Sequence, residues 1–301
     1  MKKIISLLLV FAIVFAFAAC GKNETKNETN NGVTEKVKMN VACLAGPTGI
    51  GMVNLMKSQD DKTTKNDYTF SVVSDPTEIV AGITNGSYDI AACPINLAAT
   101  LYNKLEGNVQ VLSVNTKGVL YILENGNTIN SLVDLAGKTL YATGQGSTPE
   151  YILNYLLEQS GIADSVTAEY VASHDELATL AASGEATISM LPEPKVTAAL
   201  TKNAELRIAL NLTEEFEKIS GKTLIQGVVI AKKDFVEKNS EAVKMFLKEY
   251  EASINAANND IETTSALCEQ YGIIPKAPVA KKAIPNCNIA YIDGADMKAS
   301  V

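Results

Sequence analysis

The chain has 301 residues, 47% hydrophobic and 20% charged, with a formal net charge of −8. That length and balance suit two modest globular domains or one large one, and the acidic surplus argues against nucleic acid as a partner. Five cysteines and one histidine, His174, are too few for a disulfide scaffold or a structural zinc site, so no metal and no cofactor is expected.

In chain order the first feature is a leader. Lys2 and Lys3 precede an almost wholly apolar run, Ile4–Phe17, which ends in Ala18-Ala19-Cys20. The run is too short for a stable transmembrane helix and has the layout of a secretory signal. Ending on cysteine, it resembles a bacterial lipoprotein signal (residues 1–20), with Cys20 the lipidated first residue after cleavage. Loss of the two lysines with the leader takes the mature charge from −8 to −10. Residues 21–36 (GKNETKNETNNGVTEK) are polar and low in complexity, a composition that forms a flexible tether. The expected location is the outer face of a cell membrane, held by lipid.

Beyond the tether, apolar strands alternate with helical patterns. Strands are predicted at 37–45, 68–74, 89–93 and 109–114, with helices at 50–57, 77–84 and 96–105 between them. A second set has strands at 120–124, 138–142, 167–172 and 186–191, with helices at 149–160, 175–182 and 194–202. This alternation argues α/β with mainly parallel sheets. From Ser240 on, Val243, Phe246, Leu247 and Tyr250 follow at helical spacing. Cys268 and Cys287 are the more plausible pair if export leads to a disulfide; Cys43 and Cys93 read as small buried residues at strand ends.

An internal repeat is the most informative feature. Residues 69–96 align without gaps on residues 167–194, an offset of 98, matching Val73 with Val171, Glu78 with Glu176, Gly86 with Gly184, Ile90 with Ile188 and Pro94 with Pro192. Each copy reads strand, helix, Gly turn, strand, Pro. Two such Rossmann-like lobes in tandem imply a cleft between them.

Four segments, VACLAGPTGIGMVNLM, NGSYDIAACPIN, TGQGSTPEYILNYLLEQSGI and SGEATISMLPEPKV, in this order and spacing, make the chain similar to the type II solute-binding proteins of ABC importers. The nearest group is the nitrate/sulfonate/taurine and thiamine-precursor binders. The resemblance spans nearly all of the mature chain. It implies two lobes joined by crossover strands, placed here at 114–121 and 224–231. Lobe 1 is then 37–117 plus 229–301 and lobe 2 is 118–228. It also implies a monomer that takes a small-molecule ligand to a membrane permease and its ATPase. Relatives tend to continue by another helix beyond Val301.

Ligands of open α/β sheets sit beyond the carboxyl ends of the strands. Gly144, Gly146, Ser147 and Thr148 open a helix there, offering unpaired N–H groups, close backbone approach and hydroxyl donors to an anion or a polar ring. The same serine or threonine can simply cap its own helix. Pro47, Thr48 and Gly49 make the matching segment of lobe 1. Glu193, between two prolines, is a candidate acceptor for a ligand amine or ring N–H. Asn96 and Gln226 offer amides, while Gly118 and Gly227 are the candidate hinge glycines. No catalytic residue is expected. The bound class is a sulfonate or aminosulfonate, or a polar heterocycle such as a pyrimidine. Two other readings stay open: an enzyme of the same fold acting on a chorismate-derived substrate, which would want an acid–base pair in the cleft, and a ligand-sensing module for a membrane receptor.

Overall fold

The computed structural model describes residues 36–301. The leader, Cys20 and all of the tether except Lys36 lie outside the described residues. Among those described, eleven strands form two sheets. The first has the order β11-β4-β10-β3-β1-β2, built from β1 (Lys38–Leu44), β2 (Asp67–Val73), β3 (Ile90–Pro94), β4 (Val109–Lys117), β10 (Ile225–Lys232) and β11 (Ile289–Ile292). The second has the order β7-β6-β8-β5-β9, built from β5 (Leu120–Asn125), β6 (Thr139–Ala142), β7 (Thr167–Tyr170), β8 (Ile188–Pro192) and β9 (Leu206–Asn211).

The central strands are apolar on both sides because helices cover both faces. In β1, Val41 and Cys43 join one core and Ala42 the other. The helix Ser240–Asn259 covers the first of these faces with Val243, Phe246, Tyr250, Ile254 and Ala257, the three- and four-residue spacing of a core-facing stripe. The sheet of lobe 2 likewise lies between two cores, one with Leu153 and Leu156, the other with Leu177 and Val196.

The 98-residue repeat reappears in the element boundaries. Helices Pro76–Asn85 and His174–Ser183 are offset by 98, as are β3 and β8. Both helices end on a glycine in the left-handed region, Gly86 at φ +83 and Gly184 at +84, where a side chain would clash with the backbone.

Each sheet has a parallel core of three strands, β2-β1-β3 and β7-β6-β8. The strands that connect the lobes enter antiparallel, β10 against β3 and β5 against β8, so both sheets are mixed. The chain leaves the first sheet between Lys117 and Leu120. It returns at Ile225, four residues before the expected 229, because Gly227 already pairs with Pro94 and Thr116. Gln226 and Gly227 therefore lie within the strand by which the chain returns to the first sheet.

Cys268 and Cys287, the pair left open above, are free thiols here, buried in one apolar core. Burial pushes the thiols of Cys43, Cys93 and Cys268 up to about 12. Thiols held so far above neutrality are poor nucleophiles.

Candidate functional site

The strand registers determine which sheet edges face each other. Ile225 pairs with Lys117 and Gly227 with Pro94, so the connections leave the first sheet at the carboxyl end of β3. Leu120 pairs with Pro192, so they enter the second sheet at the carboxyl end of β8. Short links, with Gly118 N–H donating to the Leu224 carbonyl at 2.8 Å, join these edges. The carboxyl ends of both parallel cores consequently look toward one another, the position where open α/β sheets bind ligand.

On the lobe 1 edge, Pro47–Ile50 forms a single helical turn. Thr48 is buried, and its hydroxyl turns back to the Leu44 carbonyl at 3.3 Å. The Thr48 carbonyl accepts from the Asn115 amide at 3.0 Å. Gly49 has a packing reason: a Cβ there would come within 2.7 Å of the Ile273 side chain and of the Leu44 carbonyl oxygen. Asn96 is exposed in the first turn of helix Ile95–Lys104, whose cap is Pro94. Gln226 sits at a register shift of the β10–β4 ladder, with its side-chain oxygen buried and unpartnered. A bulge of this kind re-aims a side chain.

On the lobe 2 edge, Gly144 and Gly146 take φ of +80 and +74, which only glycine adopts freely. They lead into helix Thr148–Gln159, with Ser147 at the N-cap position but its side chain making no capping bond. The Ser147 hydroxyl donates to the Gly144 carbonyl at 2.6 Å, and the Gly146 N–H donates to Glu150 at 2.6 Å. This helix start thus binds a carboxylate of its own chain, and an incoming anion would compete with Glu150.

Glu193 has different surroundings from those expected. It is only 2% exposed. Its carboxylate accepts from the Thr197 N–H at 3.1 Å, the Thr197 hydroxyl at 2.9 Å and the Asn286 amide of lobe 1 at 3.3 Å. Burial holds its proton affinity above the ordinary carboxylate value, and these three hydrogen bonds only partly oppose that. An acid whose folded pKa is raised stabilises the fold at low pH, and that contribution is lost as pH rises through the folded value. Glu193→Gln is therefore expected to raise the melting temperature more at about pH 8 than at about pH 4.5. Equal shifts at both pH values in a scanning calorimeter would contradict this.

His174 is half-buried on the lobe 2 edge. It begins helix His174–Ser183 at the end of β7, and its Nδ1 lies 2.6 Å from the buried Thr143 hydroxyl at the end of β6. Burial, then the nearby Lys195 ammonium, lower its pKa against the opposing pull of Asp175. Both effects favour the neutral ring, whose Nδ1 shares a hydrogen bond with the Thr143 hydroxyl. Lys195 pairs in turn with Asp175. The signal was available: the repeat aligns His174 with Pro76, a helix start on the facing edge.

A groove of about 770 Å³ lies elsewhere. It centres on Val109–Val111 and Lys233, at the opposite end of those strands from Lys117 and Ile225, so it is not the cleft. Among the described residues no cluster of His, Cys, Asp and Glu could hold a metal ion, and no helix is long and apolar enough to cross a membrane.

Two α/β lobes, repeated in sequence and joined so that their carboxyl edges oppose, define a two-lobed solute-binding protein of the periplasmic type. Residues 61–281 match the family model for the periplasmic substrate-binding protein of the phosphonate ABC transporter, and the chain belongs to that family. Solved structures of the same fold include an ABC transporter protein from Parabacteroides distasonis (TM-score 0.73, 24% identity, 88% of this chain and 89% of that one). The periplasmic aliphatic sulphonate binding protein SsuA from Escherichia coli also matches (TM-score 0.70, 16% identity, 88% and 89%). So does the alkanesulfonate-binding protein SsuA from Xanthomonas axonopodis pv. citri bound to MOPS (TM-score 0.61, 15% identity, 88% and 90%). At these identities the likeness is one of fold. No curated protein matches the chain.

Proposed function

We propose that this chain is the lipid-anchored, ligand-capturing subunit of an ABC importer, held by Cys20 on the outer face of the cell membrane. It takes a small polar organic ligand between its lobes and presents the closed form to a permease and its ATPase. The observation that carries this reading is the pair of opposed carboxyl edges, one of them with an N–H-rich helix start at Gly144, Gly146, Ser147 and Thr148. Backbone N–H groups and the helix dipole there favour an oxyanion. A sulfonate, an aminosulfonate or a phosphonate fits that chemistry, as does a polar heterocycle such as a pyrimidine. The family and the sulfonate-binding neighbours support the oxyanion classes.

Thr143 and His174 are added to the expected contacts, because they stand on the same edge and carry a donor and an acceptor. Pro47, Thr48, Gly49, Asn96 and Gln226 are the proposed contacts from lobe 1. Glu193 enters as a carboxylate at the lobe junction. Ligand that touches both edges favours the closed form by the contacts the open form lacks.

The test is a thermal-shift panel of alkanesulfonates, aminosulfonates, alkylphosphonates, amino acids and pyrimidines, followed by calorimetric titration of the best hit. Ser147→Ala removes a hydroxyl that would turn from the Gly144 carbonyl to the ligand, and is expected to weaken that hit about tenfold. Unchanged affinity in Ser147→Ala would remove this helix start from the site.

A further inference from the structure

The lobes are joined by more than their two covalent connections. Residues 284–288 belong to lobe 1, between helix Ala277–Ala283 and β11. They nevertheless lie against lobe 2. The Tyr121 hydroxyl of β5 donates to the Asn286 carbonyl at 2.8 Å, while the Asn286 amide donates to Glu193 just beyond β8 at 3.3 Å. Backbone and side chain of one lobe 1 residue are thus gripped by two different strands of lobe 2. Two residues on, Asn288 closes the same seam. Its amide donates to the Gly118 carbonyl at 2.6 Å, and its own carbonyl accepts from the Lys117 N–H at 3.0 Å. Asn288 sits at φ +48, a left-handed position that asparagine tolerates better than most side chains. The preceding helix, Ala277–Ala283, packs on helix Lys195–Lys202, which follows Glu193.

These contacts converge on the two connections. Gly118 is in the first connection, Leu224 in the second, and the two are hydrogen-bonded to each other. Asn288 binds the first of them directly, so residues 284–288 complete a third line across the junction. Tyr121 and Glu193 are both buried, so water does not readily substitute for their bonds to Asn286, and an unpaired buried polar group is costly. A rotation of one lobe on the other must either carry these bonds along or break them.

We propose that residues 284–288 are a non-covalent third joint between the lobes, a strap in which Tyr121 and Glu193 of lobe 2 hold Asn286 of lobe 1 and restrict the angle at which the lobes meet. Asn286 is a positioning residue in this role.

The strap can be tested without a known ligand. The full chain with Cys20→Ser would carry spin labels at Lys104→Cys in lobe 1 and Glu158→Cys in lobe 2, both exposed positions. Cys43, Cys93, Cys268 and Cys287 are fully buried and do not compete for label. Double electron–electron resonance then reads the interlobe distance. Asn286→Ala and Tyr121→Phe are each expected to broaden and shift that distribution relative to the parent, and Lys218→Ala, on the surface, to leave it as it was. Identical distributions in parent, Asn286→Ala and Tyr121→Phe would overturn the proposal. Should Asn286→Ala fail to fold, Tyr121→Phe alone decides, because it deletes one hydroxyl and opens no large cavity.

Discussion

Replacing Arg207 by Leu is expected to lower stability by about 2 kcal/mol, between the effects for exposed and buried ion pairs, because Glu124 is buried while the Arg207 side chain is 31% exposed. Arg207 is the only arginine in the chain. Its guanidinium contacts the Glu124 carboxylate at 2.5 Å and also donates to the Gly126 and Ile129 carbonyls at 3.0 and 2.6 Å. Glu124 is 3% exposed and accepts further from the Thr128 N–H and hydroxyl and from the Ile129 N–H. Burial opposes the charge on Glu124, yet the hydrogen bonds from Thr128, Ile129 and Arg207 together outweigh it and hold the carboxyl below its ordinary value. A depressed carboxylate stabilises the fold above its unfolded pKa, and that share is lost as pH falls through the folded value. Arg207→Leu removes the guanidinium that helps keep Glu124 charged. Its deficit should therefore be large at neutral pH and shrink in acid. Chemical denaturation at about pH 7 and about pH 4 measures both. A deficit under about 1 kcal/mol at neutral pH would place the pair among ordinary surface ion pairs.

Gly118→Val is the second large effect, about 3 kcal/mol from overpacking. A Cβ at position 118 would lie 2.2 Å from the Thr213 hydroxyl oxygen and 2.7 Å from a Leu224 methyl carbon. Gly118 was read as a hinge glycine. Its φ lies outside the left-handed region, so the close approach of the two connections is what requires glycine here. Gly137→Ala is the reference for a purely backbone effect. Gly137 has φ +76 with open space around its Cβ direction, so it reports only the backbone preference, about 1 kcal/mol. A similar small loss in both variants, read by urea unfolding, would mean that Thr213 and Leu224 move aside and the junction is not tightly packed.

What was legible in the sequence was local. The 98-residue repeat anticipated helices and strands whose structural offsets are also 98, because Gly86 and Gly184 both need the left-handed conformation and both copies end their second strand on proline. The opposed edges followed from that repeat and from the strand–helix order. What escaped depends on partners far along the chain. β9 and the helix Leu212–Ser220 were missed: LRIALN places a charge inside a strand, and Arg207 makes sense there only beside Glu124, 83 residues earlier. Glu193 looked like a ligand carboxylate because Thr197 and Asn286, 4 and 93 residues away, fill its acceptor positions only in the folded chain. His174 was passed over because a lone histidine is ambiguous until β6 brings Thr143 against it.

Capture of a small ligand between the two lobes is tested most directly by native mass spectrometry of the protein purified without denaturation, before and after unfolding and refolding. A one-to-one adduct with the mass of a small oxyanion or polar heterocycle, lost on unfolding and restored with a rise in melting temperature when the compound is returned, is the expected result. Absence of any stoichiometric adduct, together with no thermal shift for sulfonates, phosphonates, amino acids, pyrimidines or flavins, would contradict ligand capture by this cleft.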